Sequence, residues 1–479
     1  MRTLILFLTL ALAGGGATSC AVNPVTGERQ FTLISEAQEI EIGRQADEDI
    51  SRSLGVYDDP ELQAYVQAVG ERMARDSERP DLPWTFRVLD DPQVNAFALP
   101  GGFIYMTRGI MGHFSSEAEL AGVLGHEIGH VTARHGVSRV SRAQLAQVTL
   151  GAGRILVPQL EGIGGELASF GVGLLFLSYS RDDERQADDL GLRYMTDEQY
   201  DPREMAATFE MLYHASGGAE GDRLPSWLAS HPDPLNRRDR ILSRVEAGEV
   251  SGERVERESY LARLDGMVFG ANPREGFFQD DVFYHPDLEF RMDFPSGWDR
   301  VNQREGVQAV SSEQDALLVL TLASESSATA ARSAFLAADN VTGSNLRQEP
   351  INGLSAARAD FRAVTEQGAL RGIVDFVEYG GRVYRLLGYA PEARFEARAS
   401  TLRGATGSFR PLTDARFLNV QPRTLEIVRT DRTHTLTSFL ETYPSTVSNE
   451  VISNINRFRS GDTVPAGTLM KRVVGGQMP

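Results

Sequence analysis

The chain has little cysteine, little lysine and no tandem repeat. Cys20 is the only cysteine among 479 residues, so no disulfide can form within the chain. Lys471 is the only lysine, which we attribute to genomic composition rather than to mechanism. The lack of internal repeats excludes a tail built from helical repeats.

Positive charge is also scarce. The chain has 48 Lys and Arg residues against 66 Asp and Glu residues, a formal net charge of -18. Without residues 1–19, whose only charged residue is Arg2, the balance is 47 minus 66, or -19. Such an acidic surface disfavours nucleic acid and anionic lipid headgroups as partners.

The apolar run at the N-terminus is short. Residues 4–12 follow one positive charge and are too few to span a bilayer, which is typical of an export signal. Residues 17–20 read A-T-S-C and resemble a bacterial lipobox, although Ala17 stands where leucine is usual. Cleavage there would leave Cys20 for lipid attachment, and Ala21 resembles the signal for transfer to the outer membrane. Ordinary cleavage that leaves a free thiol is the alternative.

The most informative feature that is present is an H-E-x-x-H motif in a segment with helical periodicity. On a 3.6-residue period His126 and His130 lie on one face, about 40° apart, so both imidazoles can reach one metal ion. Glu127 flanks them, where a base would be needed. Residues 116–119 predict a capping box at the start of this helix, and Gly136 predicts its end.

A catalytic zinc ion needs a third protein ligand and leaves a fourth position for water. His135 is excluded, because five residues after His130 it points about 140° away from that side chain. We therefore expect a carboxylate from a later helix. Ser180 is a suitable N-cap for such a helix, and Glu184 and Asp188 would lie one turn apart on it. Glu184 can bind the metal while Asp188 accepts the free N–H of a liganding histidine; a solvated acidic helix is the alternative.

Two further features concern the surroundings of this predicted site. Ala187 and Gly191 are small and indicate close packing of the second helix. Residues 149–179 are apolar and glycine-rich, but three charged residues argue against a membrane span. We interpret this stretch as a lid beside the site, with packed structural helices as the alternative.

With these motifs in order, the chain resembles the gluzincin zinc metallopeptidases, the family of the CAAX prenyl proteases, HtpX and BepA. The resemblance covers roughly residues 23–245. Its motifs are N-P-V-T-G at residues 23–27, N-A-F-A-L-P-G-G at residues 95–102, Glu119-Leu120 leading into H-E-x-x-H, Glu184-x-x-x-Asp188, and Ser230-His231-Pro232 with Arg237.

The resemblance implies a role for each matching residue. By it, His126, His130 and Glu184 are the ligands of one zinc ion per chain. Glu127 is the catalytic base that takes a proton from water, whose pKa zinc lowers to about 7, and passes it to the leaving amine. Asp188 supports a liganding histidine from behind.

Two positions have roles only through the resemblance. It implies that His231 occupies the open coordination position as a plug and that Arg237 steadies the oxyanion. The alternative is that His231 only helps to end a helix before Pro232. The apolar run at residues 103–106 reads as a strand, and the resemblance implies that it is the edge to which an extended substrate adds; a core strand is the alternative.

The character of the sequence changes near residue 260, where helical patterns give way to strands. Residues 290–298, 316–322 and 381–389 read as strands, and residues 328–338 read as a helix. This part resembles the α/β sandwich of the PsbP fold, and we find no catalytic constellation in it.

From Gln421 onward the chain resembles a degenerate LysM, the βααβ module that binds peptidoglycan glycans. Thr433-His434 replaces the usual Gly-Asp turn. Glycan binding and a purely structural packing role are both open, since fold does not determine function.

Together these observations predict an α+β multidomain protein: a mainly helical zincin peptidase domain with a small edge sheet, an α/β sandwich and a small βααβ module. The predicted bounds are 1–19 for the signal peptide, 20–35 for a tether, 36–260 for the peptidase, 261–413 for the sandwich and 414–479 for the last module.

The predicted function is that of a zinc-dependent metalloendopeptidase acting on misfolded or misassembled proteins of the bacterial envelope. The predicted location is the periplasm, with a lipid anchor at Cys20 in the outer membrane. Its predicted partners are envelope protein substrates, that membrane and, if the last module binds glycan, peptidoglycan. The alternatives are a chaperone-like assembly factor with gated proteolysis and a peptidoglycan-binding scaffold.

Overall fold

A computed structural model of the protein describes residues 20–32, 34–141, 179–215, 226–365, 368–459 and 461–476. The predicted signal peptide and most of the predicted lid, residues 149–178, lie outside these ranges. No described helix has the length and apolar character that crossing a bilayer requires. The predicted fold class is confirmed: the chain is α+β and multidomain, with helices first and sheets later.

Residues 36–269, here called the helical region, contain most of the helices. These are α1 Glu36–Ser53, α2 Pro60–Arg75, α3 Arg108–His113, α4 Glu117–Thr132, α5 Arg181–Asp197, α6 Pro202–Ala215, α7 Ser226–Ser230, α8 Pro234–Glu246 and α9 Arg257–Arg263. Ahead of them, strands β1 Cys20–Val22 and β2 Arg29–Phe31 form a hairpin. The buried side chain of Asn23 in this hairpin donates to the backbone oxygen of Ala133, just beyond α4.

The helical region also holds a three-stranded sheet of β3 Thr85–Leu89, β4 Ala96–Leu99 and β5 Phe103–Thr107. The strand β5 lies in the centre, parallel to β3 and antiparallel to β4. The interpretation of residues 103–106 as the edge is therefore wrong and the core-strand alternative is right. The N-A-F-A-L part of the N-A-F-A-L-P-G-G motif contains β4, which is an edge strand of this sheet.

Residues 277–412, here called the sandwich, form two sheets. Their strands are β6 Phe277–Gln279, β7 Val282–His285, β8 Phe290–Asp293, β9 Asp299–Gln303, β10 Gly306–Val310, β11 Leu317–Ala323, β12 Val341–Arg347, β13 Ala356–Thr365, β14 Gly368–Tyr379, β15 Arg382–Pro391 and β16 Arg410–Pro411. The larger, antiparallel sheet has the order β12-β13-β14-β15-β11-β10-β9, and the smaller has the order β16-β8-β7-β6.

Two helices cover opposite faces of the larger sheet. Helix α10, Ala328–Leu336, packs against one face through Ala331 and Phe335. Helix α11, Glu392–Thr406, and the smaller sheet share the core on the other face, where Phe395 and Leu402 are buried. A short helix, α12 Ala415–Leu418, follows.

Residues 423–475, here called the C-terminal module, have the predicted β-α-α-β order. The elements are β17 Arg423–Arg429, β18 His434–Thr435, α13 Leu436–Thr442, α14 Asn449–Asn456, β19 Thr463–Val464 and β20 Leu469–Gly475. The long strands β17 and β20 pair antiparallel. The segment at the end of the helical region lies beside them: Phe269 N donates to Arg423 O, and Leu425 N donates to Met267 O.

Candidate active site

Helix α4 carries the H-E-x-x-H motif and is buried along its whole length. Ser116 is its N-cap and accepts a hydrogen bond from Glu119 N. The reciprocal half of the predicted capping box is wrong, because the Glu119 carboxylate accepts from Ser115 N, one residue before the cap. Four residues apart on this helix, the His126 and His130 rings come to 4.6 Å between centroids.

The end of α4 differs from the sequence prediction. The helix stops at Thr132, and Arg134, not Gly136, takes the left-handed conformation, with φ 59°. This conformation costs a non-glycine residue on the order of 1 kcal/mol. The Arg134 guanidinium donates to the buried carboxylate of Glu39 at 3.0 Å and to Ile34 O at 3.1 Å, which holds the turn. A new helical segment starts at residue 135.

Helix α5 crosses α4 at very close range. A Cβ atom on Gly129 would lie 2.9 Å from Ala187 O, and one on Gly191 would lie 2.6 Å from His126 N. The prediction of close packing by Ala187 and Gly191 is therefore confirmed. Ser180 caps α5 in a full capping box with Asp183, so this helix presents Glu184 one turn from its start.

Four buried side chains converge at the crossing: His126, His130, Glu184 and His231. His126 Nε2 lies 3.0 Å from His130 Nε2 and 3.2 Å from His231 Nδ1. Glu184 Oε1 lies 2.9 Å from His231 Nδ1 and 3.5 Å from His130 Nε2. Among the described residues no other group of His, Cys, Asp or Glu converges in this way.

This donor set suits zinc. Imidazole nitrogen and carboxylate oxygen bind zinc at about 2.0–2.2 Å in a tetrahedron, which separates neighbouring ligand atoms by about 3.3 Å. The distances between the four donors bracket that value. Two neutral imidazoles whose Nε2 atoms face each other have at most one proton to share, whereas a cation between them satisfies both lone pairs.

Asp188 and Arg237 lie behind the four donors. Asp188 Oδ1 is 3.0 Å from His126 Nδ1, as the sequence predicted. Arg237 donates to Asp188 through Nε at 2.9 Å, and its Nη1 lies 2.8 Å from Glu184 Oε2. Burial alone would raise the pKa of both carboxylates, but in Asp188 the Arg237 charge, and in Glu184 His231 and Arg237, hold the pKa below its usual range.

Glu127 is fully buried, and neither oxygen of its carboxylate has a hydrogen-bond partner among the described residues. Its Oε1 lies 3.7 Å from His231 Nε2. Burying a carboxylate that accepts no hydrogen bond costs free energy unless a nearby charge or polar molecule compensates it. The position of Glu127 beside the donor cluster therefore fits a general base that accepts a proton from a water molecule bound there. Burial lowers the pKa of His130, which keeps that imidazole neutral and able to bind a cation.

Two aromatic residues that the sequence did not reveal enclose the donors. The ring of Tyr179 stacks on His130 at 3.7 Å between centroids, and the ring of Trp227 stacks on His231 at 4.6 Å. Tyr179 directly precedes Ser180, so its position beside a predicted helix cap was the only available signal. Cys20, the predicted site of lipid attachment, lies in strand β1.

Known proteins are similar to this chain in sequence. The model of peptidase family M48 matches residues 60–245. The mitochondrial metalloendopeptidase OMA1 of Schizosaccharomyces pombe is 30% identical over 253 residues, which cover 50% of this chain and 72% of that protein. The chain belongs to peptidase family M48.

Other M48 relatives match over a smaller part of their length. OMA1 of Arabidopsis thaliana is 32% identical over 200 residues, 42% of this chain and 39% of that protein. The β-barrel assembly-enhancing protease of Escherichia coli is 29% identical over 248 residues, half of each chain. The chain thus spans well under two thirds of these two relatives.

Membership of M48 confirms the predicted enzyme class, peptide-bond hydrolysis by a metallopeptidase, and His126, His130, Glu184 and His231 form its zinc site. Beyond the peptidase, the solution structure of cyanobacterial PsbP from Synechocystis matches 28% of this chain and 94% of its own, at 13% identity and a TM-score of 0.23. The resemblance of the sandwich to PsbP stays a prediction.

Proposed function

We propose that the protein is a zinc-dependent endopeptidase of the bacterial envelope that cleaves misfolded or misassembled envelope proteins. The observation that carries the proposal is the convergence of His126, His130 and Glu184 beside the unpartnered carboxylate of Glu127. The E. coli relative is by name a protease that enhances β-barrel assembly, which supports substrates in the envelope.

The chain's residues supply the parts of peptide hydrolysis. When bound, zinc acts as a Lewis acid that lowers the pKa of water to about 7 and polarises the scissile carbonyl. Glu127 takes the proton of the attacking water and returns it to the leaving amine. Asp188 holds His126 by its Nδ1. The Arg237 guanidinium, which is ion-paired with Glu184 and Asp188, would steady the oxyanion by its positive charge.

An extended substrate would add to the free edge of β4. This strand is packed against α4, and a small cavity lies between its end and the metal site. Leu99, Pro100, His130 and Tyr179 are among the residues that line the cavity. Backbone pairing at an edge would hold the peptide extended, with its scissile bond near the metal site.

The test of the enzyme is the Glu127→Gln variant. We expect it to retain zinc in metal analysis and to lose casein cleavage by at least about a hundredfold, because the base is gone and the ligands remain. Glu258→Gln, on a mostly exposed side chain of α9, is the matched control and should cleave like wild type. Casein cleavage that survives in Glu127→Gln would refute the role of Glu127.

His231 would gate this site. Its Nδ1 takes the fourth position of the donor cluster, the position that a catalytic site keeps open for water or substrate, and stacking on Trp227 holds the ring there. The helix α7 ends directly before His231, so the helix-ending role applies as well. His231→Ala should raise basal casein cleavage; unchanged or lower cleavage would count against gating.

The same Glu127→Gln variant separates the two classes of biological role. In cells that lack the chromosomal copy, lost envelope function in this variant supports a protease. Retained function supports a chaperone-like assembly factor or a scaffold. The scaffold alternative is weaker, because every predicted ligand and the base are present.

The proposed location is the periplasm, with a lipid on Cys20 that anchors the protein to the outer membrane. The lipobox-like residues 17–20 support it. Incorporation of radioactive fatty acid into wild type but not into Cys20→Ser would establish the anchor, and failure on wild type would remove it.

For the C-terminal module, we favour the packing role over peptidoglycan binding. The loop after α14 is tied to the helical region, where Arg457 pairs with Glu119 and Arg459 pairs with Glu210. Purified cell-wall sacculi should therefore fail to pellet the protein. Specific co-sedimentation that soluble glycan fragments compete away would restore the glycan-binding alternative.

A further inference from the structure

In each of the two zinc-binding histidines of α4, the Nδ1 atom contacts another side chain, and the two partners are of different kinds. For His126 the partner is Asp188, a residue already singled out in the sequence. For His130 it is another histidine: His130 Nδ1 lies 2.9 Å from His135 Nδ1. The left-handed turn at Arg134 makes this contact possible, because it breaks the helix on which His135 would point away.

The contact continues to helix α5. His135 Nε2 lies 3.0 Å from Gln186 Oε1, and Asp183 Oδ1 lies 3.6 Å from the same nitrogen. His135 is buried, with 2% of its surface exposed. The result is a continuous chain of hydrogen bonds from Gln186 through His135 to His130.

Only one assignment of protons satisfies every contact in this chain while leaving His130 free to bind a cation. His130 Nε2 faces the metal cluster and needs its lone pair, so the ring proton belongs on Nδ1. His130 then donates to His135 Nδ1, which must be unprotonated. His135 therefore carries its proton on Nε2, which faces Gln186 Oε1, an acceptor.

We propose that His135 and Gln186 are positioning residues that fix the tautomer and orientation of His130 for zinc binding. Helix α5 then serves both histidines: Gln186 acts on His130 through His135, and Asp188, two residues further on, acts directly on His126. The inference rests on the zinc site of the proposed function but does not require proteolysis. Partners of this kind typically change metal affinity by about 10–100-fold.

The experiment measures zinc affinity in the Glu127→Gln background, by competition of the metal-free protein with a chromophoric chelator. His135→Phe keeps a ring in the pocket and removes the acceptor, so we expect zinc binding about 10–100-fold weaker. Gln186→Leu should weaken binding in the same direction, and Gln186→Glu, which keeps an acceptor oxygen, should restore it. The double variant His135→Phe/Gln186→Leu should bind no more weakly than His135→Phe alone, because both act through one chain.

The control is His214→Phe, a partly exposed histidine on α6 that pairs with Glu210, and it should bind zinc within about twofold of the parent. A merely structural role for His135 predicts lower thermal stability with unchanged zinc affinity, which would overturn the proposal. Additive losses in the double variant would overturn it too.

A second measurement does not depend on any variant folding. In zinc-loaded protein with ¹⁵N-labelled histidine, His130 should show a protonated Nδ1 and a metal-bound Nε2. A metal-bound or unprotonated Nδ1 would refute the proposal. If wild type binds zinc as expected but fails to cleave casein, the proposed enzymatic function fails while this inference stands.

Discussion

The sandwich and the C-terminal module both follow the helical region along the chain, yet they relate to it in opposite ways. The two large clusters of buried apolar residues in the sandwich contain, among the described residues, only residues of the sandwich itself. The buried apolar residues of the module belong to the same core as those of the helical region; they are Leu425, Phe439, Ile452, Ile455, Phe458, Val464, Met470 and Val473.

Polar contacts also join the module to the helical region. The only lysine of the chain, Lys471 on β20, is fully buried and donates to the backbone oxygens of Gly112 and Phe114 at the end of α3. Arg457 of the module donates to Glu119, which is 1% exposed, in the first turn of the helix that carries the zinc ligands. The module thus reaches the active-site helix directly.

The sandwich is attached at a point where the module and the helical region already pair. Phe269 N donates to Arg423 O, although some 150 residues separate them in sequence. The sandwich therefore sits as an insertion between two neighbouring segments. The comparison teaches that the order of domains along a chain does not reveal which of them share a core.

The largest expected effect comes from cutting away the module. Truncation after residue 421 exposes the core residues that face it, at about 1.5–3 kcal/mol for each large side chain, which exceeds the usual stability of a domain. We expect an insoluble or unfolded product. Joining residue 270 to residue 422 by a short Gly-Ser linker removes the sandwich instead and should leave a soluble protein with unchanged zinc affinity. If the two deletions gave equally soluble or equally insoluble proteins, the contrast between the module and the sandwich would be wrong.

The next effect is on the ion pair between the module and α4. Arg457→Ala leaves the buried Glu119 carboxylate uncompensated, so we expect the free energy of unfolding in urea to fall by about 3–5 kcal/mol. The matched control lies in the sandwich, where Arg362 and Glu392 pair at side-chain exposures of 49% and 42%. Arg362→Ala should lower the free energy of unfolding far less, because solvent screens this exposed ion pair. Similar losses in free energy of unfolding for Arg457→Ala and Arg362→Ala would contradict the view that the module, unlike the sandwich, shares a core with the helical region.

A pH effect of intermediate size should appear in the sandwich. Burial lowers the pKa of His285 from 6.5 to about 4, opposed by Asp287 and aided by Arg274 and Arg382, and its Nδ1 accepts from Leu288 N. Below pH 6.5 His285 of the unfolded chain binds a proton that the folded chain does not bind, and this favours the unfolded state. The contribution of His285 to the free energy of unfolding is therefore complete above pH 6.5. It is lost as the pH falls towards 4, by at most about 3 kcal/mol.

Urea unfolding of the sandwich between pH 7 and pH 4 measures this loss. His285→Asn cannot titrate in that range and should show a smaller dependence on pH. An unchanged pH dependence in His285→Asn would refute the assignment to His285.

The smallest effect is expected at Lys471. Lys471→Met keeps the length of the side chain but leaves the carbonyls at the end of α3 without their donor, so we expect a loss of about 1–2 kcal/mol in free energy of unfolding. Arg416→Met, on a side chain that is 74% exposed, is the control and should leave the free energy of unfolding nearly unchanged. A neutral Lys471→Met would mean that apolar packing alone joins the module to α3.

Much of the candidate site was predictable because its signals are local. The spacing of His126 and His130 puts them on one helix face, and Ser180 with Asp183 starts the helix that carries Glu184 and Asp188. Local signals failed where a long-range contact decides the local conformation. Arg134 replaces Gly136 at the end of α4 because Glu39, some 95 residues earlier, binds its side chain.

The strands show the same limit. The predicted strands at residues 316–322 and 381–389 correspond closely to β11 and β15. The sequence did not indicate β13, whose Arg358 and Asp360 interrupt the apolar pattern of the strand. Those charges are paired with Asp375 and Arg403, partners that only the folded sheet and α11 bring near.

By itself, then, the sequence determined the metal chemistry, because ligand spacing on a helix follows from a fixed 3.6-residue period. The tertiary structure alone decided that His231 joins the ligands, that His135 turns back onto His130, and that the module rather than the sandwich completes the core around α4. These contacts join residues far apart in sequence or across a break in a helix. They depend on how whole elements pack, which no local period encodes.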